Sequence, residues 1–363
     1  MKNGWQTKKL GELCQLISGQ HIEAKSYNTE SRGIGYLTGP SDFGQLNPIV
    51  SKWTEHPKIK AKGGDILITV KGSGVGKINL LDQDEVAISR QLMAVRVTGA
   101  DPRFVHTFLG STFDYFQSQS TGAAIPGISR EQVLGLEIAT PPLPEQKRIV
   151  GILDKAFEGI GTAKANAEKN LQNARALFES YLEAIFTRGG EGWFRTTIGD
   201  QLVLQRGFDI TKNEQKEGGV PVVSSGGIKS FHNKAMVQAP GVVIGRKGTL
   251  GKVFYLDTDF WPHDTTLWVK EFNGNDPRFV YYFLTALDVK RLDSGTANPA
   301  LNRNQVHPIE INWPPISQQK AFVATLDDLS EKTQHIQAIY QQKLDALDAL
   351  KKSLLHEAFH GEL

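Results

Sequence analysis

The chain has a single cysteine, Cys14, in 363 residues, which excludes an internal disulfide and fits a reducing compartment. It has no run of about 18 apolar residues, the length a helix needs to cross a bilayer. Its first residues, Met1-Lys2-Asn3-Gly4-Trp5, lack the apolar stretch of a secretory signal. These absences predict a soluble, cytoplasmic protein that does not engage a membrane. An excess of charge of one sign is also missing. The 41 Lys and Arg nearly balance the 39 Asp and Glu, for a net charge of +2. That excludes a large, uniformly basic surface. Residues 1–143 carry 15 basic and 13 acidic side chains, and residues 193–315 carry 14 and 12. The stretch 144–192 is balanced and 316–363 is slightly acidic. The weak positive excess on two blocks is compatible with nucleic-acid binding without demanding it.

What the chain does have is a repeat. Gly122 to Phe186 lies over Gly295 to Phe359 at one offset of 173 residues with no gap. In that frame Ile128-Ser129-Arg130 meets Leu301-Asn302-Arg303, Pro141-Pro142 meets Pro314-Pro315, and Gln146-Lys147 meets Gln319-Lys320. Leu153-Asp154 meets Leu326-Asp327. Upstream the offset becomes 175, matching Asp101-Pro102-Arg103-Phe104-Val105 to Asp276-Pro277-Arg278-Phe279-Val280. Further back it is 188 and pairs Trp5, Gly11 and Gly19 with Trp193, Gly199 and Gly207. Two copies of one unit predict an internal pseudo-two-fold, which suits a two-fold partner such as duplex DNA.

Each copy divides into a mixed part and a helical part. Gly64–Val70 reads as a buried strand, followed by a glycine turn (Gly72, Gly74, Gly76) and a strand near Ile78–Leu81. Gly241–Gly245, Gly248, Gly251 and Val253–Leu256 repeat the pattern. Apolar strands are predicted over Val86–Val97 and Thr266–Phe272. Asp101-Pro102 and Asp276-Pro277 each open a helix, Asp as the cap and Pro at the first helical position. From Pro144 the residues Ile149, Leu153, Ala156, Ile160, Ala163, Ala167, Leu171, Ala174, Phe178, Tyr181 and Ile185 recur at steps of four and three. Phe322, Leu326, Leu329, Thr333, Ile336, Tyr340, Leu347 and Leu354 form the matching stripe. A period near 3.5 keeps a seam facing a partner helix, and the returning chain makes the pair antiparallel. A helix of some 40 residues spans roughly 60 Å, too long for one small domain to cover. The expected molecule is α+β, with two globular heads held apart by a helical rod.

These markers resemble the DNA specificity subunits of type I restriction–modification systems. The resemblance rests on Trp5…Leu10-Gly11-Glu12-Leu13 with its echo Trp193…Ile198-Gly199-Asp200, and on Gly72-Ser73-Gly74-Val75-Gly76-Lys77 with Lys247-Gly248-Thr249-Leu250-Gly251-Lys252. The junctions Pro141–Ile149 and Pro314–Lys320 and the ending Leu354–Leu363 complete it, so that it covers essentially the whole chain. It implies two pseudo-repeated α/β target recognition domains, 1–143 and 193–315, separated by two long antiparallel coiled-coil helices in the conserved regions 144–188 and 316–363. It further implies a non-catalytic subunit that reads a bipartite site in double-stranded DNA and directs modification (methyltransferase) subunits, two of them, and restriction/translocase subunits. On that reading the chain has no cofactor, and S-adenosylmethionine, ATP and Mg2+ belong to the partners.

Catalytic signatures are missing in keeping with that. Asn47-Pro48-Ile49-Val50, Thr140-Pro141-Pro142-Leu143 and Trp313-Pro314-Pro315-Ile316 each lack part of a methyltransferase loop, which needs a polar catalytic residue and an aromatic. No acidic cluster with a following Glu-x-Lys marks a nuclease. The glycine turns are not P-loops, because Lys71 or Arg246 stands where the first Gly belongs and Ile78 or Val253 where Ser/Thr belongs. Their amides and lysines suit either a phosphate nest or an ordinary hairpin turn needing positive φ. His356-Glu357-Ala358-Phe359-His360 matches a zinc-helix pattern, but its counterpart Glu183–Thr187 has no His and only three residues follow, so no metal site is expected.

Base reading is expected of polar and basic loop side chains: Lys71, Ser73, Lys77, Arg90, Gln91 and Arg130 in the first head. In the second they are Arg246, Thr249, Lys252, His263, Asp264, Asn302 and Arg303. Arg and Gln match guanine and adenine edges, and Lys tracks phosphate. Arg130 and Arg303 share a repeat position just before each head closes, which suits either DNA contact or a structural salt bridge to the following helix. The rival reading is a two-headed coiled-coil scaffold that binds proteins. Two identical active sites are disfavoured, because Ser89-Arg90-Gln91 and His263-Asp264-Thr265 differ between copies.

Overall fold

A computed structural model describes residues 4–72, 74–120, 126–289 and 300–363. The chain forms two compact units, residues 1–166 with 343–363 and residues 167–342. Each therefore holds one head together with a stretch of both long helices.

In the first unit the elements run β1 (Gln6–Lys9), α1 (Leu10–Leu13), β2 (Cys14–Ser18), β3 (Ile34–Leu37), β4 (Trp53–Thr54) and β5 (Lys60–Lys62). Next come β6 (Ile66–Thr69), β7 (Ile78–Leu80), β8 (Glu85–Ile88) and β9 (Leu92–Val97). They are followed by α2 (Pro102–Ser111), α3 (Phe113–Gln119), α4 (Arg130–Leu134), β10 (Glu137–Thr140) and the 46-residue α5 (Leu143–Arg188). The sheets are an antiparallel β2-β9-β6-β7, a mixed β4-β3-β8-β5 and the pair β1-β10. The second unit contains β11 (Phe194–Thr197), α6 (Ile198–Gln201), β12 (Val203–Arg206), β13 (Val220–Ser224), β14 (Gly227–His232) and β15 (Gly241–Gly245). It continues with β16 (Val253–Leu256), β17 (Trp261–Pro262), β18 (Thr266–Glu271), α7 (Pro277–Ala286), α8 (Arg303–Val306), β19 (Glu310–Trp313) and the 45-residue α9 (Ile316–His360). Its sheets β12-β18-β15-β16, β14-β13-β17 and β11-β19 follow the first plan, without a counterpart of β5 among the described residues. The fold class is thus α+β, with two repeated α/β heads and two long helices.

The central strands are apolar on both faces because they separate two cores. Ile66 and Ile68 face the main core of the first head, and Leu67 faces a second cluster with Leu37 and Val86. Val242 and Ile244 repeat this against Leu204 and Phe279, with Val243 turned toward Val223 and Phe260. Each main core closes on both long helices. Ile149 and Leu153 of α5 and Phe359 of α9 join Phe104 and Phe108 in the first unit. Phe186 of α5 and Phe322 of α9 pack on Phe279 in the second. Burying one such side chain is worth about 1.5–3 kcal/mol. Within each unit the helices run antiparallel. Phe157 meets the Leu354–Leu355 region and Lys164 pairs with Asp348 at 2.7 Å in the first, while Arg175 reaches Gln337 in the second. Among the described residues no helix is long and apolar enough to cross a membrane.

The repeated motifs form one interaction set. Asp101 and Asp276 cap α2 and α7, accepting from Arg103 and Phe104 and from Arg278 and Phe279. The buried Gln146 accepts from Asp101 N at 2.7 Å and donates to Pro141 O at 2.8 Å. Gln319 makes the same two bonds, to Asp276 N and Pro314 O, at 3.0 Å each. Arg103–Asp154 at 2.9 Å and Arg278–Asp327 at 2.8 Å then tie the short helix to the long one. The repeated Asp-Pro-Arg, Pro-Pro…Gln and Leu-Asp are parts of one clamp.

Three expectations change. Val86–Val97 is two strands in different sheets, because Ser89 turns the chain: its hydroxyl donates to Thr38 O and its carbonyl accepts from Leu92 N. On α5 the seam takes Leu182, and Tyr181 is exposed. A strict 3.5 repeat outruns the 3.6-residue turn, so the buried position slips by one. On α9 Ile336 is exposed, and its neighbour Gln337 meets α5.

Candidate nucleic-acid interface

Three backbone segments meet at one edge of each head. In the first, Val70 N donates to Gln91 O at 2.8 Å and Ile128 N to Val70 O at 3.1 Å. In the second, Arg246 N donates to Thr265 O at 2.8 Å and Leu301 N to Arg246 O at 2.9 Å. The same bonds join the glycine turn, the turn before β9 or β18, and the approach to α4 or α8. By these bonds Val70 corresponds to Arg246, Ser89 to His263 and Arg90 to Asp264. A fourth segment crosses under the edge at Gly19 and Gly207. A Cβ at Gly19 would overlap the carbonyl oxygens of Ser89 and Ile88, and one at Gly207 those of His263 and Pro262. Only glycine allows so close a crossing, and it sets Ser18 and Arg206 at the same place in the two heads.

In the second head this edge is a cleft of about 820 Å³. Four of the expected residues line it: Arg246, Asp264, Asn302 and Arg303. Arg206, Phe208, Asp209 and Trp261 join them. Arg206 Nη2 lies 2.8 Å from Asp264 Oδ2, and Arg246 Nη1 lies 3.5 Å from the Asp264 carbonyl oxygen. Asn302 accepts from Asn304 N at the start of α8, which presents Arg303 as its first residue. Trp261 Nε1 donates to Phe208 O at 3.2 Å, and the two rings meet edge to face at 6.2 Å. Burial first, then the charge of Arg206, lowers the pKa of Arg246 from its ordinary value, while Asp264 acts the other way. Three guanidiniums against two carboxylates make the cleft a place for an anion, with planar groups beside it.

The remaining second-head candidates lie outside the cleft lining. His263 is buried, its Nδ1 3.0 Å from Asp264 Oδ1 and 3.1 Å from Thr265 Oγ1, so its ring braces the turn. Thr249 is exposed on the glycine turn. Lys252 is exposed too, with Nζ 5.2 Å over the Phe254 ring. Asp209, His263 and Asp264 bring ligand atoms within 4.8 Å of one another. Arg206 already neutralises Asp264 and Arg246 stands alongside, so the charge there opposes a cation. In the first unit the His356 and His360 rings stack at 3.8 Å, and His360 Nδ1 is 2.7 Å from the His356 carbonyl oxygen.

In the first head Lys71, Lys77, Arg90 and Gln91 are exposed on the two adjoining turns. Ser73 lies outside the described residues. Arg130 is engaged within its own head, not by a salt bridge to the following helix: its guanidinium donates to the neutral acceptors Ser18 Oγ and Leu16 O, both at 2.8 Å, and bolts α4 to β2. Four amides of the first glycine turn are already spent on the hairpin and cannot hold a phosphate. The amides of Gly72, Val75, Gly76 and Lys77 donate to Pro126, Gly72, Thr69 and Gly74, and Gly72 and Gly76 take φ of +91° and +83°. It is a hairpin turn whose lysine side chains remain free to project.

Sequence reasoning missed Arg206, Phe208, Asp209 and Trp261. One signal was available: Arg206 precedes Gly207 where the other copy has Ser18 before Gly19, a charge gained at an aligned position.

The profile of the type I restriction modification DNA specificity domain matches residues 2–171 and again residues 190–344. The chain belongs to that family. It is 28% identical over 175 residues to the MjaX type I restriction enzyme specificity subunit of Methanocaldococcus jannaschii, a match spanning 47% of this chain and 40% of that one. It is 20% identical over 402 residues to the MjaVIII specificity subunit of the same organism, covering 99% of this chain and 93% of that one. A solved chain described for complex assembly and conformational transition of the type I R-M system shares the fold. Its TM-score is 0.85 at 18% identity, over 100% of this chain and 99% of that one.

Proposed function

We propose that this chain is the sequence-reading, non-catalytic subunit of a type I restriction–modification complex. Each head, 1–143 and 193–315, reads a short half-site in duplex DNA. The observation that carries the reading is the shared three-segment edge, built by the same backbone bonds in both heads but furnished with different side chains. Val70, Ser89 and Arg90 stand where Arg246, His263 and Asp264 stand. A duplicated catalyst needs one set of groups twice, whereas two readers of different half-sites need one scaffold and two sets. Lys71, Lys77, Arg90 and Gln91 furnish the first edge, and Arg246, Thr249, Lys252, Asn302 and Arg303 the second. Lysines track phosphate and arginines reach base edges.

The long helices offer the surface for two modification subunits. Leu177 and Tyr181 of α5 and Ile336 and Ile339 of α9 are exposed within the second unit, an apolar set that a solvated helix pair does not need. S-adenosylmethionine, ATP and Mg2+ then act on the partner chains, in the cytoplasm.

The test is co-expression with the modification subunits of its own system, followed by methylome sequencing. A split motif whose halves change separately when 1–143 or 193–315 is exchanged is the expected result. Partner capture with no methylated motif would overturn DNA reading and leave a protein-binding scaffold.

A further inference from the structure

We propose that Arg206, held by Asp264, reads a guanine in the half-site of the second head; the inference rests on the DNA-reading role above. Arg206 ends β12 at the mouth of the cleft, and its Nη2 sits 2.8 Å from Asp264 Oδ2. The carboxylate is itself fixed. Its other oxygen is 3.0 Å from His263 Nδ1, and the buried His263 is braced by Thr265 Oγ1 at 3.1 Å. The backbone under Arg206 is fixed as well, because Gly207 is pressed against the His263 and Pro262 carbonyls. The Arg206 side chain is 56% exposed and that of Asp264 21%, so the carboxylate holds one corner of a guanidinium that faces solvent.

This arrangement suits a guanine edge. Guanine presents O6 and N7 as two adjacent acceptors in the major groove, and a guanidinium fork supplies two parallel donors at the matching spacing. A free arginine loses rotamer freedom on binding, whereas one already tethered by a carboxylate loses less. A phosphate contact needs neither the tether nor the planar fork.

Among the described residues the first head has no such device. Its aligned residue is Ser18, whose hydroxyl accepts from Arg130, and Arg90 stands where Asp264 does. The carboxylate-held arginine therefore belongs to the second half-site alone.

The experiment compares methylomes of the assembled complex carrying wild type, Arg206→Gln, Arg206→Lys and Asp264→Asn. In the wild type one position of the half-site that follows residues 193–315 is expected to be guanine. Arg206→Gln loses that preference while the other half-site stays intact, Arg206→Lys keeps it in weakened form because an ammonium still donates to the guanine edge, and Asp264→Asn weakens it at the same position. With duplex oligonucleotides, 7-deazaguanine at that position lowers wild-type affinity about ten-fold, the order of one base contact, and leaves Arg206→Gln unchanged. A motif retained at every position in Arg206→Gln would show that Arg206 reads no base and overturn the proposal. Uniform loss of methylation with the complex assembled and 7-deazaguanine without effect would overturn it in favour of a structural ion pair. A wild type with no split motif would instead bring down the DNA-reading role itself.

Discussion

Arg130 and Arg303 occupy one position of the repeat and do opposite things. Arg130 spends its guanidinium on Ser18 Oγ and Leu16 O inside its own head. Arg303 lines an open cleft. The difference traces to the residue before the crossing glycine. In the first head Ser18 offers a small acceptor that receives the arginine. In the second, Arg206 stands there and turns to Asp264, so the small hydroxyl acceptor that receives Arg130 has no counterpart for Arg303. The aligned exchange accompanies a bolt in one head and a cleft-lining arginine in the other, while the bonds joining the three segments of the edge are kept. Repeats diverge in function most cheaply this way, by redistributing side-chain partners on an unchanged frame.

The frame is where the two heads should respond alike, and most severely. Gly19→Val and Gly207→Val each force a side chain into two carbonyl oxygens, and each is expected to cost its own head about 4 kcal/mol or more. Limited proteolysis resolved by head reads this directly; a tolerated valine in either would show that the crossings are not equivalent. The arginines should then split the heads. Arg130→Ala leaves the Leu16 carbonyl unpaired and lowers first-head stability by about 1–2 kcal/mol. Arg303→Ala changes second-head stability by less than about 0.5 kcal/mol, as exposed substitutions do, but weakens DNA binding and reduces its salt dependence. Equal thermal effects from both would erase the contrast.

The helix clamps sharpen it on a smaller scale. Asp154 pairs only with Arg103 among the described residues, and Asp154→Asn is expected to cost under about 1 kcal/mol. Asp327 accepts from Arg278 and also from the Tyr282 hydroxyl at 2.5 Å. Asp327→Asn should cost about 1 kcal/mol more, measured by hydrogen exchange in α7 against α2. Burial, then the Asp327 bond, pushes the Tyr282 phenol up from its ordinary value, so the hydroxyl stays a donor through the working range.

The smallest contrast is in pH. His307 Nε2 accepts from Leu204 N at 3.0 Å, and burial, then the Arg303 charge, lowers its pKa. The neutral ring is the bonded form. Its contribution is therefore complete above the unfolded value of about 6.5 and is lost as pH falls through the lower folded value. The aligned residue in the first head is Leu134, which does not titrate; a Cβ at Gly11 or Gly199 would meet Leu134 or His307 in the same way. The second head of His307→Leu should therefore lose less stability between pH 7.5 and 5.5 than that of the wild type. Identical acid slopes would remove His307 as the cause.

Much of this molecule can be read without its structure. Asp-Pro pairs at 101 and 276 cap helices because an aspartate and a missing N–H act within three residues. The seams of α5 and α9 follow from spacing alone, although Tyr181 and Ile336 show that the spacing places a stripe and not each member of it. The turn at Ser89 was hidden in an apolar run, because its cause is the Thr38 carbonyl, 51 residues away. The glycine turns could be matched between copies, yet whether their amides were free depended on the Pro126 carbonyl and on the closing of the hairpin itself.

Local pattern thus determined two like heads, their helices and the edge where variable side chains gather, since each of those depends on near neighbours and on repetition. Which arginine is bound and which is available was decided only by the tertiary structure. Arg130 finds Ser18 across 112 residues and Arg206 finds Asp264 across 58. A side chain is free for a partner only after the fold has settled its competition for acceptors that lie far away in sequence.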